Sequence, residues 1–230
     1  PRSRAVLDTE IQAAIGRSSD AEAAVAAIRA IRRRELFRIA VADLLELLPV
    51  DQVGTALADV TEAVLDAALT AATRAVAAEL GTETLPTRFA VVAMGRLGGR
   101  EQGYGSDADV LFVHDPHPGA DERAASDAAH AVAGELRRLL MAPAPDPALR
   151  VDADLRPEGR QGPLVRTLSA YAAYYERWSQ PWEAQALLRA QPVAGDAELG
   201  RRFVALIDPI RWPGDGLDEA EIREIRRIKA

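Results

Sequence analysis

The stretch MGRLGGREQGYGSDADVLFVHD, residues 94–115, constrains the fold more than any other part of the chain. Its run from Val110 to Val113 is continuously apolar, which is typical of a strand buried on both faces. Five glycines precede this run, and Asp107 and Asp109 lie directly before it. Because alternate side chains of a strand point to the same side, both carboxylates should share one face. The stretch therefore predicts a glycine-rich turn that leads two acids into a buried sheet.

The segments on either side predict a mixture of helices and strands. Residues 1 to about 81, and again 119 to about 141, repeat apolar side chains at helical spacing, with Ser19 or Asp20 as the predicted N-cap of one helix. The apolar run at 89–94 predicts a strand. The alternation of apolar and charged residues at 149–155 predicts a half-buried strand.

The chain beyond Pro163 returns to helical spacing, so we predict helices there. Five aromatic side chains fall on one stripe of a helix or helix pair and are expected to pack in a core: Tyr171, Tyr174, Tyr175, Trp178 and Trp182. This order of elements predicts an α+β fold, a small mixed sheet flanked by helical segments. We divide it into a helical region at 1–84, a strand-containing core at 85–167 and a helical C-terminal part at 168–230.

Composition excludes several classes of function. The chain has 230 residues, 48% of them hydrophobic, but it lacks an apolar run of the roughly 18 residues that a membrane span needs. A formal net charge of −7 argues against general attraction to nucleic acid. The absence of cysteine fits a reducing compartment. We therefore expect a cytoplasmic protein that binds neither membrane nor nucleic acid, and the missing initial methionine suggests a piece of a longer chain.

A second pair of aspartates supports a functional role for the first pair. In VDADLRPEGRQGPLVR, residues 151–166, Asp152 and Asp154 again alternate with apolar neighbours. If Asp152 points towards Asp107 and Asp109, the three carboxylates form a cluster that could hold Mg²⁺ through oxygen ligands. Paired carboxylates also serve as the acid and base of glycoside hydrolysis, and spacing alone does not choose between these uses. An aspartate before a strand can equally be a simple turn residue.

The glycine-rich turn favours phosphate chemistry over the other uses. Backbone N–H groups in such turns can approach phosphate oxygens, and Mg²⁺ commonly bridges carboxylates to these oxygens. Two metal ions held in this way can assist phosphoryl or nucleotidyl transfer. The N–H groups expected to face the phosphates belong to Gly98, Gly99 and Ser106. The side chains expected to balance the triphosphate charge are those of Arg156, Arg160 and Arg166.

Several of these motifs together resemble a known family. GGREQGYGSDADVLFVHD is similar to the nucleotidyltransferase signature, in which two small residues and a short interval precede Asp-x-Asp. Together with AMGRLGGRE, the segment from VDADLRPEGRQ to AQPVAGD, and REIRRIKA, it resembles the glutamine synthetase adenylyltransferases, bifunctional enzymes with two such domains. The resemblance is specific over about residues 85 to 230. It implies a nucleotidyltransferase-fold core that uses ATP and Mg²⁺ to modify a tyrosine hydroxyl of glutamine synthetase.

The resemblance also assigns roles to individual residues. It makes Asp107 and Asp109 metal ligands and Asp152 the third carboxylate, whereas Asp154 falls on a variable position of the family. Arg96 stands where the family often has lysine. Glutamine synthetase is the implied partner, and a PII-type nitrogen signal protein is a further one through the full-length enzyme.

Three alternatives to this function stay open at the level of sequence. The domain could be the related one that removes AMP from glutamine synthetase by phosphorolysis. It could also transfer nucleotides to a small molecule or to RNA, or bind nucleotide as a scaffold without catalysis. The motif GYGSDADVLFVHD looks more like the adenylylating domain. We therefore expect transfer of AMP to glutamine synthetase.

Overall fold

The computed structural model describes residues 1–214, Gly216, 222–223 and 226–227. Most of the closing segment REIRRIKA, which we predict to be helical, lies outside the described residues.

Three helices form the first third of the chain, as the apolar spacing predicts. They are α1 (Arg4–Gly16), α2 (Ala21–Leu44) and α3 (Val50–Glu79). The Asp20 side chain accepts a hydrogen bond from the Ala23 N–H and caps α2, so the predicted N-cap is confirmed. Helix α3 is buried along most of its length and contacts both other helices, α5 and the sheet. The helical region is therefore packed directly on the rest of the fold.

A small mixed sheet occupies the centre of the structure. Its strands are β1 (Thr87–Ala93), β2 (Ala108–Pro116), β3 (Val151–Asp152), β4 (Val165–Thr167) and β5 (Gln191–Gly195). The order is β3-β2-β1-β5, and β4 also pairs with β2. Strand β1 is antiparallel to both β2 and β5, whereas β3 and β4 run parallel to β2. The α+β prediction is confirmed.

Within residues 1–214, five further helices cover the sheet and flank its strands. They are α4 (Gly95–Gly98), α5 (Glu122–Met141), α6 (Leu168–Trp178), α7 (Pro181–Leu187) and α8 (Ala197–Arg211). Val110 and Phe112 of β2 belong to the core shared with α3 and α5, whereas Leu111 and Val113 belong to the core shared with α6 to α8. The sheet is therefore the middle of three layers, with β2 buried on both faces. None of the described helices has the length and apolar character that crossing a membrane requires.

The structure corrects three predictions about the later part of the chain. The strand expected over 149–155 is formed only by Val151 and Asp152. Strands β4 and β5 lie in the segment beyond Pro163, which we expected to be wholly helical. The aromatic stripe is not one core: Tyr171 and Tyr175 are buried, but Trp178 is 57% exposed. The helix ends at Trp178 and a new one begins at Pro181, so the stripe does not continue onto the same face.

The turn after β1 packs too closely for a side chain at Gly98. A Cβ built there would lie 1.9 Å from the backbone oxygen of Arg189 and 2.7 Å from that of Ala93. We expect Gly98→Ala to lower the free energy of unfolding by about 1–3 kcal/mol, because rigid backbone must move. Gly105→Ala is the matched control, since a Cβ there meets nothing within 4 Å. Equal thermal unfolding of the two variants would contradict this packing.

Candidate functional site

Two predicted acids meet where β2 and β3 lie side by side. Asp109 and Asp152 are partners in the parallel register of these strands. Adjacent strands are roughly 4.8 Å apart, and partners in parallel register project to the same face. Their neighbours Val151 and Val110 belong to the core on the opposite face, which places both aspartates on the side of the sheet that faces α6 to α8. The alternation of the strands therefore brings Asp152 to Asp109.

Asp107 belongs to the same cluster, as the electrostatics of Asp109 show. Burial is the largest cause of the raised pKa of the half-buried Asp109, and the charges of Asp152 and Asp107 raise that pKa further. The positive charge of Arg96 acts in the opposite direction. Like charges that face one another disfavour ionisation, so a cation at this position would relieve the repulsion. The structure thus brings all three predicted acids within electrostatic reach of each other.

The carboxylates have defined partners of their own. The Arg150 Nε lies 3.4 Å from Asp107 Oδ2, and the Asp154 N–H donates a 2.8 Å hydrogen bond to Asp152 Oδ1. The backbone of Gly95 lies so close to Asp109 that an added Cβ would be 2.3 Å from Oδ2. Gly95 also has a φ of +51°, in the left-handed region that favours glycine. The first glycine of the motif is therefore required by the position of the Asp109 carboxylate.

The fit of this cluster to Mg²⁺ rests on its donor chemistry. Carboxylate oxygens are the hard ligands that Mg²⁺ prefers. Burial and the two neighbouring acids disfavour the charged form of Asp109, and a bound cation would stabilise that form. Within the described part of the chain, however, no group of three or more histidine, cysteine, aspartate or glutamate side chains is arranged so that it could hold a metal ion. One Asp152 oxygen bonds Asp154 instead. The donors fit, and their side chains would have to turn to act as ligands.

The glycine turn does not present the predicted N–H groups. The N–H of Gly98 donates to the Met94 oxygen at 2.8 Å, and that of Gly99 donates to the Gly95 oxygen at 3.1 Å. The N–H of Ser106 donates to the Gly103 oxygen at 3.2 Å. These groups are used to fold the turn itself, so a cradle built from them is not what this structure shows. Spacing could not reveal this, because the bonds depend on the short helix α4.

Arg156 is a structural residue rather than a residue that faces the acids. Its guanidinium is buried and donates to the backbone oxygens of Gly162, Ala153 and Arg160 at 3.0, 2.9 and 3.2 Å. These bonds hold together the loop that joins β3 to β4. That Arg156 balances triphosphate charge stays a prediction, and in this arrangement its donors are already bonded within the loop.

The other two predicted arginines differ from each other. Arg166 pairs with Glu158 and stacks over the Tyr174 ring at 5.4 Å, so its guanidinium is also held by the protein. Arg160 is exposed and bonds Asp154 Oδ2 at 2.6 Å. The charge of Asp152 contributes to the raised pKa of Arg160, after the larger effects of Asp154. Of the three, Arg160 alone is shown to interact electrostatically with the acid cluster.

Two arginines near the site were not predicted as functional. Arg150 reaches Asp107 from the residue just before β3, and its place in LRVD is the only sequence signal for this contact. Arg189 lies before β5, and its side chain would be 3.0 Å from a Cβ on Gly99. Arg189 also pairs with Glu101 at 2.9 Å. No local pattern could reveal Arg189, because 90 residues separate it from Gly99 and only tertiary folding joins them.

The fold and comparison with known proteins together show the class and the family of the chain. A small mixed sheet in an α+β fold, with acids at the start of its central strand, is a nucleotidyltransferase-like core. Residues 1–206 match the family described as glutamate-ammonia ligase adenylyltransferase, and the chain belongs to that family.

Relatives named bifunctional glutamine synthetase adenylyltransferase/adenylyl-removing enzyme match nearly the whole chain. The protein from Streptomyces coelicolor is 57% identical over 100% of this chain and 24% of its own length. The one from Nocardia farcinica is 60% identical over 96% of the chain and 22% of its length. The one from Mycobacterium tuberculosis H37Rv is 55% identical over 95% and 22%. The chain spans about a quarter of the length of these relatives.

We expect Asp109→Asn to raise the thermal unfolding temperature at neutral pH. Since the pKa of Asp109 is raised in the folded protein, its charged form is disfavoured by folding, and the substitution removes that penalty. The gain should disappear as the pH falls below about 3.9, the pKa of an unfolded aspartate, because the carboxyl group is then protonated in both the folded and the unfolded state. Asp115→Asn, at the other end of β2, is the control and should give no gain. A lower unfolding temperature for Asp109→Asn would contradict the repulsion.

Proposed function

We propose that this chain is a domain that transfers AMP from ATP to a tyrosine hydroxyl of glutamine synthetase. The observation that carries the proposal is the placement of Asp109 beside Asp152, with Asp107 in electrostatic reach. Membership of the glutamate-ammonia ligase adenylyltransferase family supports the reaction class. The names of the relatives support glutamine synthetase as the acceptor. The chain covers about a quarter of the length of those relatives, so we assign to it, by inference, an activity for which the full-length relatives are named.

In this proposal Asp107, Asp109 and Asp152 are the residues that hold Mg²⁺. When bound, the metal supplies positive charge at the phosphate oxygens and at the attacking hydroxyl. Asp152 is also the proposed acceptor of the tyrosine proton, through the carboxylate oxygen that does not hold the metal. The half-buried setting of Asp109 lowers the local dielectric, which strengthens the interaction of the cluster with a cation.

The proposed groups for the phosphates are the arginines that lie around the cluster. Arg96 interacts electrostatically with Asp109, Arg150 contacts Asp107, and Arg160 interacts electrostatically with Asp152. Arginine suits this role because its planar guanidinium can donate two hydrogen bonds to one phosphate. We propose them for this role instead of Arg156 and Arg166, because the guanidinium of Arg156 bonds the Gly162 oxygen and that of Arg166 pairs with Glu158. Pyrophosphate would leave against this positive side of the site.

We also propose that the glycine turn is part of the ATP site, because Gly99 leaves space there that a side chain would fill. Gly99 is next to the flexible side chain of Arg189, so a larger residue there displaces Arg189 rather than backbone. We expect Gly99→Val to weaken ATP binding while thermal unfolding stays unchanged. Calorimetric titration with ATP measures the first effect and a thermal melt the second. Equal affinity of the variant and the wild type for ATP would remove Gly99 from the site.

The direction of the reaction is tested by two mixtures. The first contains the chain, unmodified glutamine synthetase and α-labelled ATP with Mg²⁺, and the second contains adenylylated glutamine synthetase and phosphate. We expect label transfer in the first, falling by at least about 100-fold in Asp107→Asn and Asp109→Asn because the charge that holds the cation is reduced. Asp115→Asn is the matched control on the same strand and should retain transfer.

Each other result assigns the chain differently. ADP release in the second mixture alone would identify the domain as the one that removes AMP. Transfer that persists in Asp107→Asn and Asp109→Asn would contradict the three-acid site. ATP binding without either reaction would favour the nucleotide-binding scaffold.

A further inference from the structure

The loop that carries Asp107 is anchored on the helical first third of the chain. The Arg100 Nη2 donates to Asp59 Oδ1 at 2.7 Å, and its Nη1 donates to Glu62 Oε1 at 3.0 Å. Both carboxylates belong to α3. Arg100 itself follows the glycine turn directly. One guanidinium therefore joins the start of the loop, residues 100–107, to two acids on a helix that packs against the sheet.

The anchor on α3 is fixed from the other side as well. Glu62 is only 7% exposed, and its second oxygen accepts a 3.0 Å hydrogen bond from Arg4 Nη1 of α1. Gly54, five residues before Asp59 on α3, lies against the loop: a Cβ there would be 3.3 Å from the Arg100 oxygen. The loop thus rests on a glycine of α3 and is tied to a carboxylate that α1 also holds.

Arg100 has a backbone conformation that needs external support. Its φ of +56° lies in the left-handed region, which is unfavourable for a residue with a side chain. Such a conformation persists when surrounding contacts define it. Here the defining contacts are the two ion pairs and the close approach to Gly54.

Further hydrogen bonds connect the anchored start of the loop to Asp107. The buried Gln102 donates through Nε2 to the Asp107 backbone oxygen at 3.3 Å. The Tyr104 hydroxyl donates to Asp43 Oδ2 at 2.7 Å and ties the middle of the loop to α2. The Ser106 hydroxyl accepts the Gly103 N–H at 3.0 Å. Asp107 lies just before β2, so its position depends on this loop as well as on the strand.

We propose that Arg100, through Asp59 and Glu62, is a positioning residue that holds the loop at 100–107 so that Asp107 faces Asp109. The proposal rests on the adenylyl-transfer function proposed above. It makes the helical first third a working part of the site rather than a connecting segment. Partly exposed ion pairs contribute little to global stability, so the main effect of the contact is local. Small displacements of a reacting group, by contrast, cost large factors in rate.

The test compares three substitutions in the chain. Asp59→Asn removes one charge with almost no change of shape, and Arg100→Asn removes the guanidinium but keeps a residue that tolerates the left-handed conformation. Arg100→Lys keeps the charge. Arg202→Asn is the matched control, because Arg202 pairs with Asp115 at the opposite end of β2. For each protein we would measure kcat and KM for ATP, the thermal melt with and without Mg²⁺, and hydrogen exchange of the peptide that covers 99–107.

We expect Arg100→Asn to lower kcat about tenfold or more, with KM for ATP changed far less, because the acid is displaced while the rest of the ATP site is kept. Asp59→Asn should show a smaller loss in the same direction, and Arg100→Lys should recover part of it. Exchange at 99–107 should be faster in Arg100→Asn and Asp59→Asn, and unchanged in β1 and β2. Arg202→Asn should match the wild type.

Several outcomes separate this proposal from the function on which it rests. If the wild type transfers no AMP, the proposed function fails. Positioning by Arg100 is then still supported if Arg100→Asn and Asp59→Asn show faster exchange at 99–107 and a smaller Mg²⁺-induced rise in unfolding temperature than the wild type. Unchanged exchange at 99–107 in Asp59→Asn and Arg100→Asn would overturn it. Faster exchange with unchanged kcat in an active protein would also overturn it, because the loop would then be held without consequence for the site.

Discussion

The site depends on the way in which strand β2 is buried. Partners pair with β2 on both sides. Strand β1 pairs with residues 110–116 on one edge, and β3 and then β4 pair on the other edge. Helices cover both faces, so its interior positions carry only apolar side chains as far as Val113. The start of the strand is therefore where acids can be presented. The parallel register with β3 then places Asp152 beside Asp109.

A cluster of like charges needs support from the rest of the structure. The raised pKa of Asp109, caused by burial and then by its two acidic neighbours, is the sign of that cost. Gly95 leaves room for the carboxylate, and α3 holds the loop that leads to Asp107. Functional sites commonly keep such unfavourable arrangements where surrounding packing maintains them. The acid cluster thus depends on the packing of the sheet against the helices that cover it.

Local pattern was sufficient for the central strands and the three acids, but not for the short edge strands or the arginines. Strand β2 is an uninterrupted apolar run after Asp-x-Asp, so both its burial and its acids could be predicted. Strand β5 contains Pro192 and Gly195, which normally mark breaks, and its pairing with β1 is a tertiary fact. Whether an arginine such as Arg156 bonds its own loop or faces the acids depends on loop geometry that residue spacing does not contain.

The most direct test of the central claim is a crystal structure of the chain with Mg²⁺ and a non-hydrolysable ATP analogue. We expect a metal ion about 2.1 Å from oxygens of Asp107, Asp109 and Asp152, with the phosphates near Arg96 and Arg150. Asp152 should then have turned from the Asp154 N–H towards the metal. A structure in which the analogue binds away from β2, with the Asp152 to Asp154 hydrogen bond intact, would contradict the claim.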